Sequence, residues 1–295
     1  MEFKKVTLGE IDVLRTRLQF AESNICDFSV GGIVMWRDFF CTEYAIVNDT
    51  LLFKYLVTAA GQKRYMFSYP VGPDAAGALS AVAEYCDVEE IPLSFCTITD
   101  EELEVLSRRY PRLDAVPERD WFDYLYLSDD LMNLAGRRYA GQRNHINKFV
   151  RSYPDWSFDD ITQAGIPEII AFLNEYYETE TLGDAIVAEE KSKTFELFEN
   201  YAAYGLMGAV LRAGKKIAAV SVGEVVGETL FVHIEKAKKS YSGVYAMITN
   251  QFAKRFGGGV KYINREEDVG DEGLRTAKLA YHPYKLLSKY TVLVK

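Results

Sequence analysis

The run from Leu206 to Ala237, LMGAVLRAGKKIAAVSVGEVVGETLFVHIEKA, limits the fold of this chain more than any other stretch. Three apolar, β-rich segments, 206–212, 216–225 and 229–235, are joined only by the turns AGKK and VGE. Connections this short link antiparallel neighbours, so a meander is expected. VYAMITNQFAKR then carries its apolar residues at helical spacing and is closed by GGG, which predicts a helix over 244–255 and a strand over 260–264.

Upstream, residues 137–153 predict a long basic helix stopped by Pro154, followed by a strand at 156–161. Pro167 opens a helix running to about residue 179, and 191–203 gives another. Downstream, 274–281 reads as helical and 288–294 as a closing strand. The second part therefore has the order β-α-α-β-β-β-α-β-α-β. The first part is mixed as well: a helix at the start (EIDVLRTRLQFAE), strands at 44–47, 51–57 and 64–69, and a helix over 75–86. A strand near 93–98, a helix opening at Thr99 with Glu102 completing a capping box, and a strand through 121–127 complete it.

Charge divides the chain where composition does not. The formal net charge is -9, and the whole of that excess lies in residues 1–128, whereas 129–295 hold as many basic as acidic residues. Two lobes, 1–128 and 129–295, are expected, since single cores stop growing near ~250 to 300 residues. An overall basic footprint of the kind a nucleic-acid binder shows is absent. With 48% hydrophobic and 26% charged residues the chain reads as globular, and no stretch reaches the ~18 unbroken apolar residues of a spanning helix. MEFKKVTLGEIDVL lacks the apolar core of a signal peptide, so a cytoplasmic location is expected. The four cysteines fall at Cys26, Cys41, Cys86 and Cys96 without CxxC spacing, and the three histidines are far apart in sequence, so no metal site is expected.

The element order of the second part resembles the Gcn5-related N-acetyltransferase (GNAT) fold. FVHIEKA followed by KKSYSGVYAMITNQFAKRF is similar to the strand and helix that build the acyl-donor site of those enzymes. Three further segments, DFSVGGIVMWRDFF, GRRYAGQRNHINKFVRSYP and INREEDVGDEGLRTAKLAYHPYKLLSKY, resemble the catalytic C-terminal part of phosphatidylglycerol lysyltransferases. That part is a duplicated GNAT-like fold akin to the Fem-type peptidoglycan aminoacyltransferases. The resemblance implies an α/β protein of two tandem GNAT-like lobes, each a mostly antiparallel mixed sheet flanked by helices. It implies an acyl- or aminoacyltransferase whose donor is aminoacyl-tRNA, where the GNAT skeleton alone implies acyl-CoA. The donor is a co-substrate rather than a resident cofactor. Its partners would be a charged tRNA acceptor end or coenzyme A, and an amine, hydroxyl or lipid-headgroup acceptor. Known lysyltransferases carry a membrane-spanning part ahead of this domain, and this sequence shows none. The alternative is a non-catalytic tandem module binding a nucleotide, peptide or anionic ligand.

Candidate site residues follow from these segments. Tyr241, Ser242, Gly243, Val244 and Tyr245 occupy the turn where backbone amides and a helix N-terminus would meet the donor phosphates, with Lys238 adding positive charge. Arg143, Asn144, His145 and Lys148, with Asn264 and Arg265, are expected to line a groove holding an anionic group. Glu267 and Asp268 leave the end of a predicted buried strand, where a carboxylate would take the proton of an attacking amine; Tyr281 and His282 would supply a proton to the leaving group. Each also has an ordinary reading: solvated cations on a surface helix, acids at a helix start, a packed tyrosine and a satisfied histidine.

Overall fold

The computed structural model describes residues 1–59, 62–179 and 185–295. In the first part the strands are β1 (Lys4–Lys5), β2 (Glu43–Val47), β3 (Thr50–Ala59), β4 (Gln62–Phe67), β5 (Ser94–Ile98) and β6 (Leu113–Pro117). The helices are α1 (Ile11–Leu18), α2 (Val30–Trp36), α3 (Ala75–Val88) and α4 (Asp100–Arg109). Next come β7 (Asp123–Leu127), α5 (Ser128–Asn133), α6 (Ala140–Ser152), β8 (Trp156–Asp160), α7 (Ile166–Thr179), α8 (Ala185–Glu199) and α9 (Tyr201–Tyr204). The meander is β9 (Met207–Ala213), β10 (Lys216–Val226) and β11 (Thr229–Ala237). After it follow α10 (Val244–Phe256), β12 (Tyr262–Asn264), α11 (Glu272–Leu279), β13 (Lys285–Leu287) and β14 (Tyr290–Val294).

Two seven-stranded mixed sheets result, in the order β1-β2-β3-β4-β5-β14-β6 and β13-β7-β12-β11-β10-β9-β8. The expected α/β class with flanking helices is what forms. The strand pairs are antiparallel except β4 with β5 in the first sheet and β11 with β12 in the second, β13 with β7 aside. Compact units do not follow a single cut in the chain. One comprises Met1–Asp123, Glu267–Glu272 and Leu286–Lys295, the other Tyr124–Glu266 and Gly273–Lys285. The closing strand β14 thus pairs with β5 and β6, although it follows the elements of the second sheet in sequence.

In the first unit, α3 and the sheet enclose Leu52, Phe67, Leu79, Val82, Phe95 and Val292. Thr99 and Glu102 form the expected capping box at the start of α4. DFSVGGIVMWRDFF is helical over α2. Ser29 caps it by accepting from the Gly32 N–H at 3.1 Å, and Val30, Ile33, Val34 and Met35 are buried. β6, exposed from Asp114 to Pro117, was not anticipated; it forms because β14 supplies a partner for every residue from Leu113 to Pro117.

In the second unit, α6, α10 and the ends of β9, β10 and β11 share a core of Phe149, Leu211, Ala218, Ala219, Ala237, Val244, Met247 and Ile248. α6 earns its place by an apolar stripe, Ile146, Phe149 and Tyr153, at helical spacing. Gly243 has φ +84, and a Cβ there would collide with the carbonyl oxygen of His145. Glycine is therefore required on both counts, and it lets α6 and the start of α10 touch through backbone.

Candidate functional site

β11 is paired to β10 from Thr229 to Ala237, with a bulge at His233 between Val232 and Ile234. Its parallel pairing to β12 covers only Thr229–Phe231 against Tyr262–Asn264. Beyond Asn264 the chain follows β7 instead: Arg265 N–H donates to Tyr124 O at 3.1 Å, and Tyr124 N–H to Glu266 O at 3.2 Å. Two neighbouring strands therefore diverge, and backbone N–H and C=O groups on one side of β11 beyond residue 231 have no ladder partner in β12.

Side chains bridge the gap as two ionic rungs. His233 contacts Glu266 through Nδ1 at 2.7 Å and Glu224 through Nε2 at 2.9 Å, and its side chain is 1% exposed. Burial works against its charge, but hydrogen bonds to the two carboxylates outweigh burial and push its pKa up to about 10. The second rung is Arg265 Nη2 donating to Glu235 Oε1 at 2.8 Å. Thr249, on α10, donates to the same oxygen at 2.9 Å. Glu235 Oε2 has no hydrogen-bond partner among the described residues. Arg265 Nη1 is buried without a conventional acceptor, and its guanidinium lies 5.0 Å from the Tyr281 ring centroid and 6.0 Å from that of Tyr126. Burial pushes the Tyr281 phenol up, so it retains its proton at neutral pH.

The structure brings together some of the expected site residues. Arg265 and Tyr281 meet at the diverging strands. Tyr245 lies in the first turn of α10, whose N-cap is Gly243, and Tyr241 packs edge-on against Tyr153, the residue that ends α6, at 5.3 Å. Val244 is buried in the core, and Ser242 is half-buried in the turn.

Others have different work. Glu267 belongs to a buried cluster of the first unit, where Lys289 Nζ lies 2.5 Å from Glu267, 2.5 Å from Asp27 and 2.7 Å from Asp123. Burial opposes ionisation of Glu267, but Lys289 outweighs it and holds the carboxyl below its usual range. Glu267 is thus tied into the ion cluster of the first unit. Asp268 is fully buried in that unit, paired to Arg119 at 3.0 Å and accepting from Gly270 N–H at 2.9 Å. It fixes the turn before α11.

Asn264 is buried and accepts from Glu266 N–H at 2.6 Å, a local turn contact. Arg143 Nη1 donates to the carbonyls of Leu134 and Gly136, the latter at 2.7 Å, just past the C-terminus of α5. It binds the negative end of a helix. His282 is exposed, near Arg138 O at 3.3 Å and edge-on to Tyr139. Lys238 pairs with Glu175, and Lys236 with Glu190, so the acids of α7 and α8 compensate two cations at the end of β11. Asn144, His145 and Lys148 are exposed on α6.

Glu235 and Thr249 escaped the sequence reading. Glu235 is one charge in an alternating strand, and only the divergence of β12 from β11 makes it different from its neighbours. The signal within reach was its position in FVHIEKA, already likened to the donor-site strand.

The two mixed sheets and the opened strand pair beside a helix N-terminus are those of a tandem GNAT-like fold. Residues 18–293 match the family "Phosphatidylglycerol lysyltransferase, C-terminal", and the chain belongs to it. A conserved protein of unknown function from Bacteroides thetaiotaomicron is 32% identical, with full coverage of both chains and a TM-score of 0.91. The C-terminal domain (DUF2156) of a lysylphosphatidylglycerol synthetase homologue from Agrobacterium fabrum shares the fold at 13% identity and TM-score 0.68, over 98% of this chain and 92% of that one. L-PGS from Bacillus licheniformis does so at 16% and 0.67, over 96% and 91%. No curated protein matches the chain. Among the described residues, no helix is long and apolar enough to cross a membrane.

Proposed function

We propose that the second unit transfers an acyl or aminoacyl group from an activated donor to an amine or hydroxyl acceptor, with Glu235 as the proton acceptor. The observation that carries this reading is the divergence of β12 from β11, which leaves a strand edge open beside a carboxylate anchored through Oε1 only. Free strand amides suit the carbonyl oxygen of the donor, where negative charge gathers as the tetrahedral species forms. Oε2 of Glu235 takes the proton as the acceptor nitrogen or oxygen bonds to the carbonyl carbon. The bond to the donor's ribose oxygen or thiol sulfur then breaks, and that atom is protonated, a role suited to Tyr281. Arg265 and Thr249 hold Glu235 in place. Most of the acceleration comes from positioning, worth on the order of 7 to 11 kcal/mol in favourable cases.

Membership of the lysyltransferase family supports an aminoacyl-tRNA donor and a lipid-headgroup acceptor. The pairing of Lys236 with Glu190 and of Lys238 with Glu175 supports the same choice over acyl-CoA. A compact pyrophosphate would draw on cations close to the helix mouth, and here two of them already have carboxylate partners.

The test is Glu235→Gln beside Glu267→Gln in a transfer assay with charged tRNA and with acetyl-CoA. Glu235→Gln is expected to lower turnover by about 100- to 10,000-fold, the usual contribution of a positioned base, with ligand binding retained. Turnover unchanged by that substitution would remove Glu235 from the mechanism. Ligand binding without transfer in the wild type would identify a binding module.

A further inference from the structure

Three local irregularities of the second unit coincide at His233. The first is the bulge in β11. Val222 pairs with Ile234 and Gly223 with Val232, so His233 is the extra residue. Gly223 admits it, because a Cβ at that position would collide with the Phe231 carbonyl oxygen. A bulge re-aims the inserted side chain, and here it turns the imidazole between Glu224 of β10 and Glu266 of the segment that follows β12.

The second irregularity is Glu266, whose φ of +57 lies in the left-handed region that residues with a Cβ seldom adopt. Its N–H donates to Asn264 Oδ1 at 2.6 Å, which ties the kink where the chain leaves β12. The third is buried charge: the His233 side chain is 1% exposed, and it is flanked by two carboxylates. An apolar pair would serve folding alone, since replacing buried ions by well-packed apolar groups is often neutral or stabilising. Irregularities that each cost stability, gathered at one point, mark a constraint other than folding.

That constraint is the width of the opened edge. Strands in a ladder stand about 4.8 Å apart, and a wider gap needs its own spacers. Residues 265 and 266 are consecutive, so the Glu266–His233 rung and the Arg265–Glu235 rung are coupled through one peptide unit. We propose that His233 is a positioning residue of the transfer site, one that sets the gap between β11 and residues 265–266 and, through Glu266 and Arg265, the placement of the Glu235 carboxylate. The inference rests on the reading of Glu235 as the proton acceptor. Without a cation between them, Glu224 and Glu266 repel as buried carboxylates. Glu266 then shifts, Arg265 shifts with it, and Glu235 Oε1 loses its guanidinium partner. His233 acts through these residues and not on the reacting atoms.

The experiment is steady-state kinetics of acyl release from charged tRNA and from acetyl-CoA in the presence of phosphatidylglycerol vesicles. Rates are taken per folded molecule, below every melting transition. The full chain is compared as wild type, His233→Gln, Glu266→Gln, Arg265→Met, Glu235→Gln and His233→Gln/Arg265→Met. His233→Gln is expected to lower kcat about 10- to 100-fold with the donor KM unchanged, since a misplacement of about 1 Å remote from the chemistry can cost 100-fold. The double variant should be no slower than Arg265→Met alone, because both changes break one chain of contacts. Should His233→Gln fail to fold, Glu266→Gln, which keeps the side-chain shape, carries the same expectation. Wild-type kcat in folded His233→Gln and Glu266→Gln, with Glu235→Gln inactive, would overturn the positioning role and leave the reaction standing. Multiplying effects in the double variant, or wild-type kcat in Arg265→Met, would overturn the route through Arg265. An active Glu235→Gln, or a wild type that turns over neither donor, would remove the reaction itself and this inference with it.

Discussion

Replacing His233 by glutamine tests the charge state on which the diverging strands depend. In the native protein the imidazole is buried between Glu224 and Glu266, and its pKa stands near 10 rather than about 6.5. Each pKa unit is worth about 1.36 kcal/mol, so protonation of this ring contributes on the order of 5 kcal/mol when the unfolded state is also protonated. A histidine raised in this way stabilises fully below its unfolded pKa, and the contribution is lost as pH rises through the folded value. Between about pH 7 and pH 9 the contribution falls by roughly 2 to 3 kcal/mol. Glutamine cannot titrate, so the stability gap between wild type and His233→Gln should narrow by that amount over the interval. The window lies above the range where free carboxylates titrate, which isolates the imidazole. Urea denaturation at several pH values gives the gap, and the histidine ring resonances in an NMR titration give the pKa directly. A gap constant with pH, or a ring titrating near 6.5, would mean that a carboxylate carries the proton and the imidazole is neutral.

Two further outcomes follow from the packing. Lys289→Met should destabilise the first unit by about 3 to 5 kcal/mol, because Asp27, Asp123 and Glu267 would be left as buried carboxylates without their common cation; a urea midpoint within error of the wild type would show that the cluster is hydrated. Gly243→Ala meets the His145 carbonyl and a backbone at φ +84, so a loss of about 1 to 3 kcal/mol is expected from the backbone conformation alone, with a lower melting temperature. An unchanged melting temperature would mean that α6 yields without cost.

The acidic cluster around Lys289 shows what the sequence leaves hidden at Glu267 and Asp268. Sequence places both just after a buried strand, where GNAT-like chemistry is expected. What it does not show is that residues 267–272 leave the second unit and join the first, together with β14. The charge of Glu267 is then matched by a lysine 22 residues further along, in a segment that returns to another sheet. Glu235 presents the opposite case. Its neighbours in sequence mark it only as part of an amphipathic strand, yet the absence of a β12 partner beyond Phe231 turns it into the carboxylate at an open edge.

Local patterns fixed much of the architecture by themselves. The meander β9–β11, the capping box of α4, the α10 helix and the apolar stripe of α6 are short-range consequences of turn length, caps and periodicity, which need no distant partner. Which strand pairs with which, where two strands part, and which charges meet are long-range matters, decided when the chain closes and desolvation forces each buried ion to find a counterion. That is why the fold and family could be read along the chain, while the carboxylate at the open strand edge stands out only in three dimensions.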